Sequence, residues 1–237
     1  MDVLGVDIGG TGIKGAPVDT GTGVLTAERF KIPTPQPSRP DAVAAVVGEI
    51  AAHFGWSGLV GVTFPGVIID GTVCSAANVD RSWLGQDAQA LFAAKVGGQA
   101  RVCNDADAAG LAEMRYGAGR DRKGVVIMVT LGTGIGSAVF IDGVLVPNTE
   151  LGHLQIRGKE AEKRASEIVR EEKDLSWEEW AGRLSEYFQT LEMLFSPTLL
   201  IVGGGVSRKS DKFLPLIEGV RAPIVPAAGH NDAGITG

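Results

Sequence analysis

Apolar positions fall in short runs near the start of the chain and take helical spacing between them. Residues 3–7, 13–18 and 24–31 read as strands. Residues 32–40 carry four prolines and are expected to form a loop, because the missing N–H groups disfavour strand and helix interiors. Asp41 is the expected N-cap of a helix over 42–54, followed by a strand at 59–64, a Pro65-Gly66 turn and a hairpin around Asp70-Gly71. Residues 87–96 read as helix, 100–103 as strand, and 105–116 as a helix ending at Gly117.

Strands then return at 124–130, 135–141 and 144–146, with a turn at Asp142-Gly143. The spacing predicts helices over 161–172 and 176–195, a buried strand at 199–202, a helix after Gly203-Gly204-Gly205, and a short strand at 224–225. The last residues, 231–237, come where a further helix is expected to begin. Strand-strand-strand-helix-strand-helix thus occurs twice. That order predicts a duplicated α/β fold with a cleft between copies, divided into residues 1–103 and 104–237.

Each copy opens on a glycine turn. The first is Asp7-Ile8-Gly9-Gly10-Thr11-Gly12-Ile13-Lys14 and the second Leu131-Gly132-Thr133-Gly134-Ile135-Gly136. Glycine serves tight hairpin turns, and it also lets backbone N–H groups approach phosphate oxygens, with a threonine hydroxyl as a further donor. Two such turns favour a phosphate held between two lobes, and Asp7 then stands where it could hold a hydrated Mg²⁺.

Composition removes several alternatives. The 237 residues are 44% hydrophobic and 21% charged, the balance of a globular chain with a sizeable core. No apolar stretch reaches bilayer length and the N-terminus lacks a signal-peptide pattern, so a cytoplasmic setting without a membrane partner is expected. Cys74 and Cys103 are too few and too far apart for a disulfide framework or a zinc cluster. The net charge of −6 argues against a nucleic-acid partner. Arg120, Arg122 and Lys123, or Arg208, Lys209 and Lys212, are the candidate basic patches, and each also reads as an ordinary solvated loop rim.

A polar group stands apart from this background. Asn104-Asp105 ends a strand and opens a helix, where Asp105 reads as a cap or as a ligand-facing carboxylate. Glu150-Leu151-Gly152-His153 places an acid and an imidazole three residues apart, and Glu162 opens the next helix with Ser166 four residues on. Carboxylates, imidazole and amide together suit the hydroxyls of a sugar. A metal site from His153, Glu150 and Asp105 is the weaker alternative, since no cysteine lies near. His53 reads as packing or surface, His230 as either of these, and Trp177 with Trp180 as a core stripe.

Asp7-Ile8-Gly9-Gly10-Thr11-x-x-Lys14, Asn104-Asp105, the second glycine turn, Glu150-Leu151-Gly152-His153 and Gly203-Gly204-Gly205-Val206-Ser207 together resemble the ROK family of sugar kinases and repressors. The resemblance covers nearly the whole chain, with the motifs in the family's order. It departs in one respect: most members carry a zinc-binding cysteine cluster after the Gly-His pair, and no cysteine follows Cys103 here. That loss, with Pro147-Asn148-Thr149, Leu194-Phe195-Ser196-Pro197 and Lys212-Phe213-Leu214-Pro215-Leu216, resembles the branch that draws phosphate from inorganic polyphosphate.

The resemblance implies an actin-like (ribonuclease H-like) two-lobed fold and transfer of phosphate from polyphosphate, or ATP, to the 6-hydroxyl of glucose and in some members mannose. By position, Asp105 becomes the general base, and Asn104, Glu150, His153 and Glu162 hold the other hydroxyls. Asp7, Gly9, Gly10, Thr11, Gly12, Lys14, Gly132, Thr133 and Gly134 line the phosphate channel, and Gly203, Gly204 and Gly205 receive the nucleotide. Mg²⁺ through water on Asp7 is the expected cofactor, zinc is not expected, and a homodimer is the expected assembly. Closure over the sugar is expected to exclude water. A strictly ATP-dependent kinase and a sugar-sensing protein without activity remain alternatives. The repressor form carries a helix-turn-helix before the first glycine turn, and with six residues ahead of Asp7 that form is not the one expected. An actin-like movement switch would not need the Glu150, His153 and Asn104 group.

Overall fold

The structure is a computed structural model and describes residues 1–76, 79–229 and 233–237. His230 lies outside the described residues, as do Asn231 and Asp232. The chain forms two compact units, Met1–Ala108 with Asp232–Gly237, and Ala109–Asn231.

In the first unit, β1 (Asp2–Ile8) pairs antiparallel with β2 (Gly12–Asp19), whose far side carries β3 (Val24–Leu25) and β4 (Phe30–Pro33). Helix α1 (Pro40–His53) leads to β5 (Val60–Phe64), which lies parallel to β1. A small hairpin, β6 (Ile68–Ile69) and β7 (Thr72–Val73), then turns at Asp70-Gly71, where both residues take positive φ. After α2 (Ala88–Val96), β8 (Ala100–Asn104) adds parallel to β5, and α3 (Asp105–Tyr116) follows without a break. The sheet order is β3-β2-β1-β5-β8. Val43, Val47 and Ile50 on one stripe of α1 bury against Leu4, Val6 and Ile13, and each such side chain contributes about 1.5–3 kcal/mol. The helical turn Ala233–Thr236 packs on β1 and β2, so closely that a Cβ on Gly5 would stand 2.0 Å from the Ile235 carbonyl oxygen.

The second unit repeats the plan. Strand β9 (Val125–Leu131) pairs antiparallel with β10 (Ile135–Ile141), which carries β11 (Val144–Val146). A hairpin of β12 (Gln155–Ile156) and β13 (Lys159–Glu160) precedes α4 (Glu162–Ala165), α5 (Glu167–Glu172) and α6 (Trp177–Phe195). Strand β14 (Leu199–Gly203) lies parallel to β9, and β15 (Ile224–Pro226) parallel to β14. The order β11-β10-β9-β14-β15 matches the path β3-β2-β1-β5-β8 of the first sheet, in which β4 is an additional strand on β2. Helix α6 starts on a capping box, with Ser176 Oγ accepting from Glu179 N and Glu179 Oε2 from Ser176 N. Its Trp180, Leu184, Tyr187 and Leu191 form the buried face over this sheet.

Five local expectations change. Residues 24–31 form two short strands rather than one, and the proline-rich loop gives up Ile32 and Pro33 to the end of β4, where an edge strand tolerates proline. Arg39, not Asp41, occupies the N-cap of α1, because Pro40 already has the φ of a first helical residue. The helix expected over 161–172 breaks at Ser166, whose ψ of 160° is extended. The segment after Gly205 is a 3₁₀ helix, Gly205–Lys212.

Candidate active site

In the first unit the β1–β2 hairpin sets Asp7 opposite Lys14, and the parallel pairing with β5 sets it beside Thr63. Lys14 Nζ lies 3.1 Å from Asp7 Oδ2, and the buried Thr63 hydroxyl donates to Asp7 Oδ1 at 2.8 Å. Both oxygens of Asp7 are therefore held, and the carboxylate remains partly exposed. A Cβ on Gly234 would stand 2.9 Å from Asp7 Cγ, so this glycine keeps the approach to the carboxylate open. The intervening turn closes with Gly9 N donating to Gly12 O at 3.1 Å, and the Thr34 hydroxyl donates to Gly9 O at 2.5 Å. Gly10 and Thr11 are exposed, and no atom lies within 4 Å of where a Cβ on Gly10 would stand.

At the end of β8 the buried Asn104 performs the capping expected of Asp105. Its Oδ1 accepts from Ala106 N at 2.8 Å and Asp107 N at 3.0 Å, and its Nδ2 donates to Gly66 O at 3.2 Å. Such a cap is worth about 1 kcal/mol, and here it also ties α3 to the Pro65-Gly66 turn. The second N–H of the Asn104 amide has no partner among the described residues. Asp105 is the first residue of α3, half-buried, with Oδ1 accepting from Ala106 N. Burial, and then the charges of Asp107 and Asp105, push the Cys103 thiol up to about 12.

The second unit assembles Glu150, His153 and Glu162. Ser137 on β10 accepts from Leu151 N and donates to Thr149 O, pinning the segment to the strand. Gly152 is obligatory there, since a Cβ would stand 2.1 Å from Ile135 O. One 3₁₀ turn, Leu151–His153, brings His153 Nε2 to 3.8 Å from Glu150 Oε2. The β12–β13 hairpin returns the chain so that Glu160 Oε1 and Glu162 Oε1 lie 3.7 Å and 3.8 Å from His153 Nδ1. Burial raises the Glu150 carboxyl above the ordinary glutamate range, with Glu162 adding to the shift and His153 opposing it. Lys163 contacts Glu160 and holds its carboxyl below that range.

His153, Glu160 and Glu162 offer ligand atoms within 4.8 Å of one another, the one such group among the described residues able to hold a metal. The Lys163 ammonium against Glu160 competes with a cation there. The metal alternative read from the sequence joined His153 to Glu150 and Asp105. This group contains neither of those acids.

The second glycine turn closes with Gly132 N donating to Gly134 O at 3.1 Å, and Ile168 N donates to Gly132 O at 3.2 Å. Thr133 is exposed, Gly132 has open space where a Cβ would be, and a Cβ on Gly134 would stand 2.7 Å from Glu162 Oε2. Gly203 ends β14. Gly204 has φ 86° and comes so near Leu131 O that a Cβ would stand 2.1 Å from it. Beyond Gly205, burial raises the Glu167 carboxyl, with Glu171 adding and Lys209, Arg170 and Arg208 opposing. Lys212 Nζ sits 5.7 Å from the Trp177 ring centroid. Arg120 pairs with its neighbour Asp121 at 3.7 Å, and His53 stacks on Phe30.

Sequence reasoning missed Thr63, Thr34, Gly234 and Glu160. Strand register brings the first to Asp7, and chain return brings the others, so no local spacing signals them.

Two sheets of one order, each with a glycine turn in its first hairpin, define the actin-like class of fold. The chain belongs to the ROK family, whose model matches residues 3–164. It is 52% identical to a polyphosphate glucokinase of Mycobacterium tuberculosis over 235 residues, 99% of this chain and 88% of that protein. The crystal structure of an inorganic polyphosphate/ATP-glucomannokinase from Arthrobacter sp. strain KM is 54% identical, with TM-score 0.95 over 99% of this chain and 95% of that one. A ROK family glucokinase from Streptomyces griseus, solved with glucose and AMPPNP, shares the fold at TM-score 0.84 and 24% identity, covering 100% and 97%.

Proposed function

We propose that the chain is a cytoplasmic hexokinase-type phosphotransferase that moves a phosphoryl group from inorganic polyphosphate, and from ATP, to the 6-hydroxyl of glucose and of mannose. The observation that carries this reading is the pair Gly10 and Gly132. Each lies in the turn of its unit's first hairpin, has a φ that any residue adopts, and has nothing within 4 Å of its missing Cβ. The fold therefore does not require glycine at either position, whereas close approach of phosphate to backbone N–H groups does. Similarity over nearly the whole of this chain to a mycobacterial polyphosphate glucokinase supports polyphosphate as the donor.

Phosphoryl transfer passes through a loose transition state, so the protein mainly orients reactants and offsets charge on the equatorial oxygens. Asp105 accepts the proton of the 6-hydroxyl as that oxygen attacks. Glu150, His153 and Glu162 accept from and donate to the other hydroxyls, with the remaining Asn104 N–H as a further donor. This reading assigns Lys14 and the amides of each glycine turn to the donor phosphates, and the Gly203–Gly205 turn to the nucleotide when ATP is used. The partly exposed Asp7 carboxylate would hold magnesium through water rather than directly, because Thr63 and Lys14 already engage its two oxygens; when bound, the ion would supply neutralising charge to the phosphate oxygens.

Both cysteines are free thiols, in keeping with a reducing compartment. Among the described residues no helix is long and apolar enough to cross a membrane. The test is a coupled assay of glucose and mannose against polyphosphate and ATP. Sugar 6-phosphate formed from polyphosphate is the expected result. Product from ATP alone would reject polyphosphate as donor, and no product from either would reject the kinase reading.

A further inference from the structure

A cavity of about 470 Å³ in the second unit is walled by six cations and one carboxylate. Arg157 and Lys159 come from the β12–β13 hairpin, Lys163 and Arg164 from α4, Lys173 from the end of α5, and Arg183 from α6. The carboxylate, Glu186, splints the wall, binding Arg157 Nη2 at 2.6 Å and Arg164 Nη2 at 2.5 Å. Arg183 Nη1 donates to Arg164 O at 3.1 Å. Lys159 and Lys173 are exposed and make no ion pair among the described residues.

Such a gathering opposes the rest of the molecule, whose net charge is −6. Glu186 and Glu160 neutralise Arg157, Arg164 and Lys163 only in part, and the cations drawn from four elements still outnumber these carboxylates and repel one another. A ligand bearing several negative charges removes that repulsion. Guanidinium groups fixed by Glu186 present forks suited to phosphate oxygens, and the two lysines add mobile point charges. No aromatic side chain lines the cavity, so the stacking that single-stranded nucleic acids use is missing from its wall. Lys163 and Arg164 directly follow Glu162 on α4, so one short helix carries both a sugar ligand and part of this wall.

We propose that this cavity binds a stretch of inorganic polyphosphate remote from the phosphoryl group being transferred. The proposal rests on the donor assigned above, and it predicts that long chains gain affinity that short donors lack.

The test is the double variant Lys159→Gln/Lys173→Gln, assayed with tripolyphosphate, long-chain polyphosphate and ATP. The KM for long-chain polyphosphate should rise about three- to tenfold, while kcat and the KM values for tripolyphosphate, ATP and glucose stay unchanged. Lys173→Gln alone should give a smaller rise in the same direction. No change in either variant, or an equal change for every donor, overturns the proposal. Direct binding of labelled long-chain polyphosphate reads the cavity apart from catalysis. Weaker binding by the double variant supports the site even if the wild type turns over ATP alone, and unchanged binding overturns it. An unstructured RNA that displaces polyphosphate from the wild type with equal affinity would overturn the assignment to a bare phosphate chain.

Discussion

The two sheets share one strand order and one hairpin turn, yet the groups around those turns differ. In the first unit the turn is backed by an ion pair, Asp7 with Lys14, and the sheet ends in Asn104 and Asp105 at the head of α3. In the second, Thr130 pairs with Gly136 in the hairpin register, and no carboxylate stands where β1 has Asp7. Its carboxylates arrive instead on the segment between β11 and α4, around His153. On the proposed function, a repeated scaffold thus carries a divided chemistry, with charge management, the base and one hydroxyl donor, Asn104, in the first unit and the remaining hydroxyl recognition in the second.

If that division holds, damage to the first unit should act on turnover and damage to the second on sugar affinity. The largest effect is expected from Asp105→Ala, which should lower kcat roughly 10²–10⁴-fold with little change in glucose KM. Near-full activity of the folded variant would remove Asp105 from its role. Next in size, His153→Ala and Glu162→Gln should raise glucose KM roughly ten- to hundredfold, since each removes a partner of a charged hydrogen bond. A fall in kcat at unchanged KM would break the comparison. A smaller effect sets the third glycine turn apart: Gly204→Ala should cost about 1–3 kcal/mol of stability, because a φ of 86° and the Leu131 carbonyl both resist a side chain. An unshifted thermal midpoint would contradict that.

The finest effect is in pH. On the proposed function, ionised Glu150 is the form that accepts a sugar hydroxyl, and burial raises its pKa. As pH falls, the carboxylate is therefore protonated earlier than an ordinary glutamate, and glucose KM should begin rising at a correspondingly higher pH. Glu150→Gln should flatten this limb, and a wild-type KM constant down to the ordinary glutamate range would rule the shift out. Sign and site agree: a raised acid loses its charged form on acidification, so the penalty appears on the acid side alone.

Much of this architecture was legible in the chain. Asp70-Gly71 and Asp142-Gly143 announce hairpins because the paired positive φ values suit aspartate and glycine, and Ser176 with Glu179 announces α6. The β12–β13 hairpin was not legible, since strands of two residues have no period to read. Nor was the division of labour at Asn104-Asp105. Both residues suit a helix start, and the contact of Asn104 with Gly66, 38 residues away, decides which one caps. Thr63 joins Asp7 through parallel register, and the basic cavity draws on four elements spread between Arg157 and Glu186. Such sites are properties of the fold and cannot be read from spacing.

The central claim is that both glycine turns serve one donor. Gly10→Ala and Gly132→Ala test it most directly, because neither added methyl meets an atom of the protein within 4 Å. Measured beside thermal midpoints, the KM for polyphosphate should rise in each variant while stability and glucose KM stay as in the wild type. A donor KM left unchanged by either substitution would contradict the account.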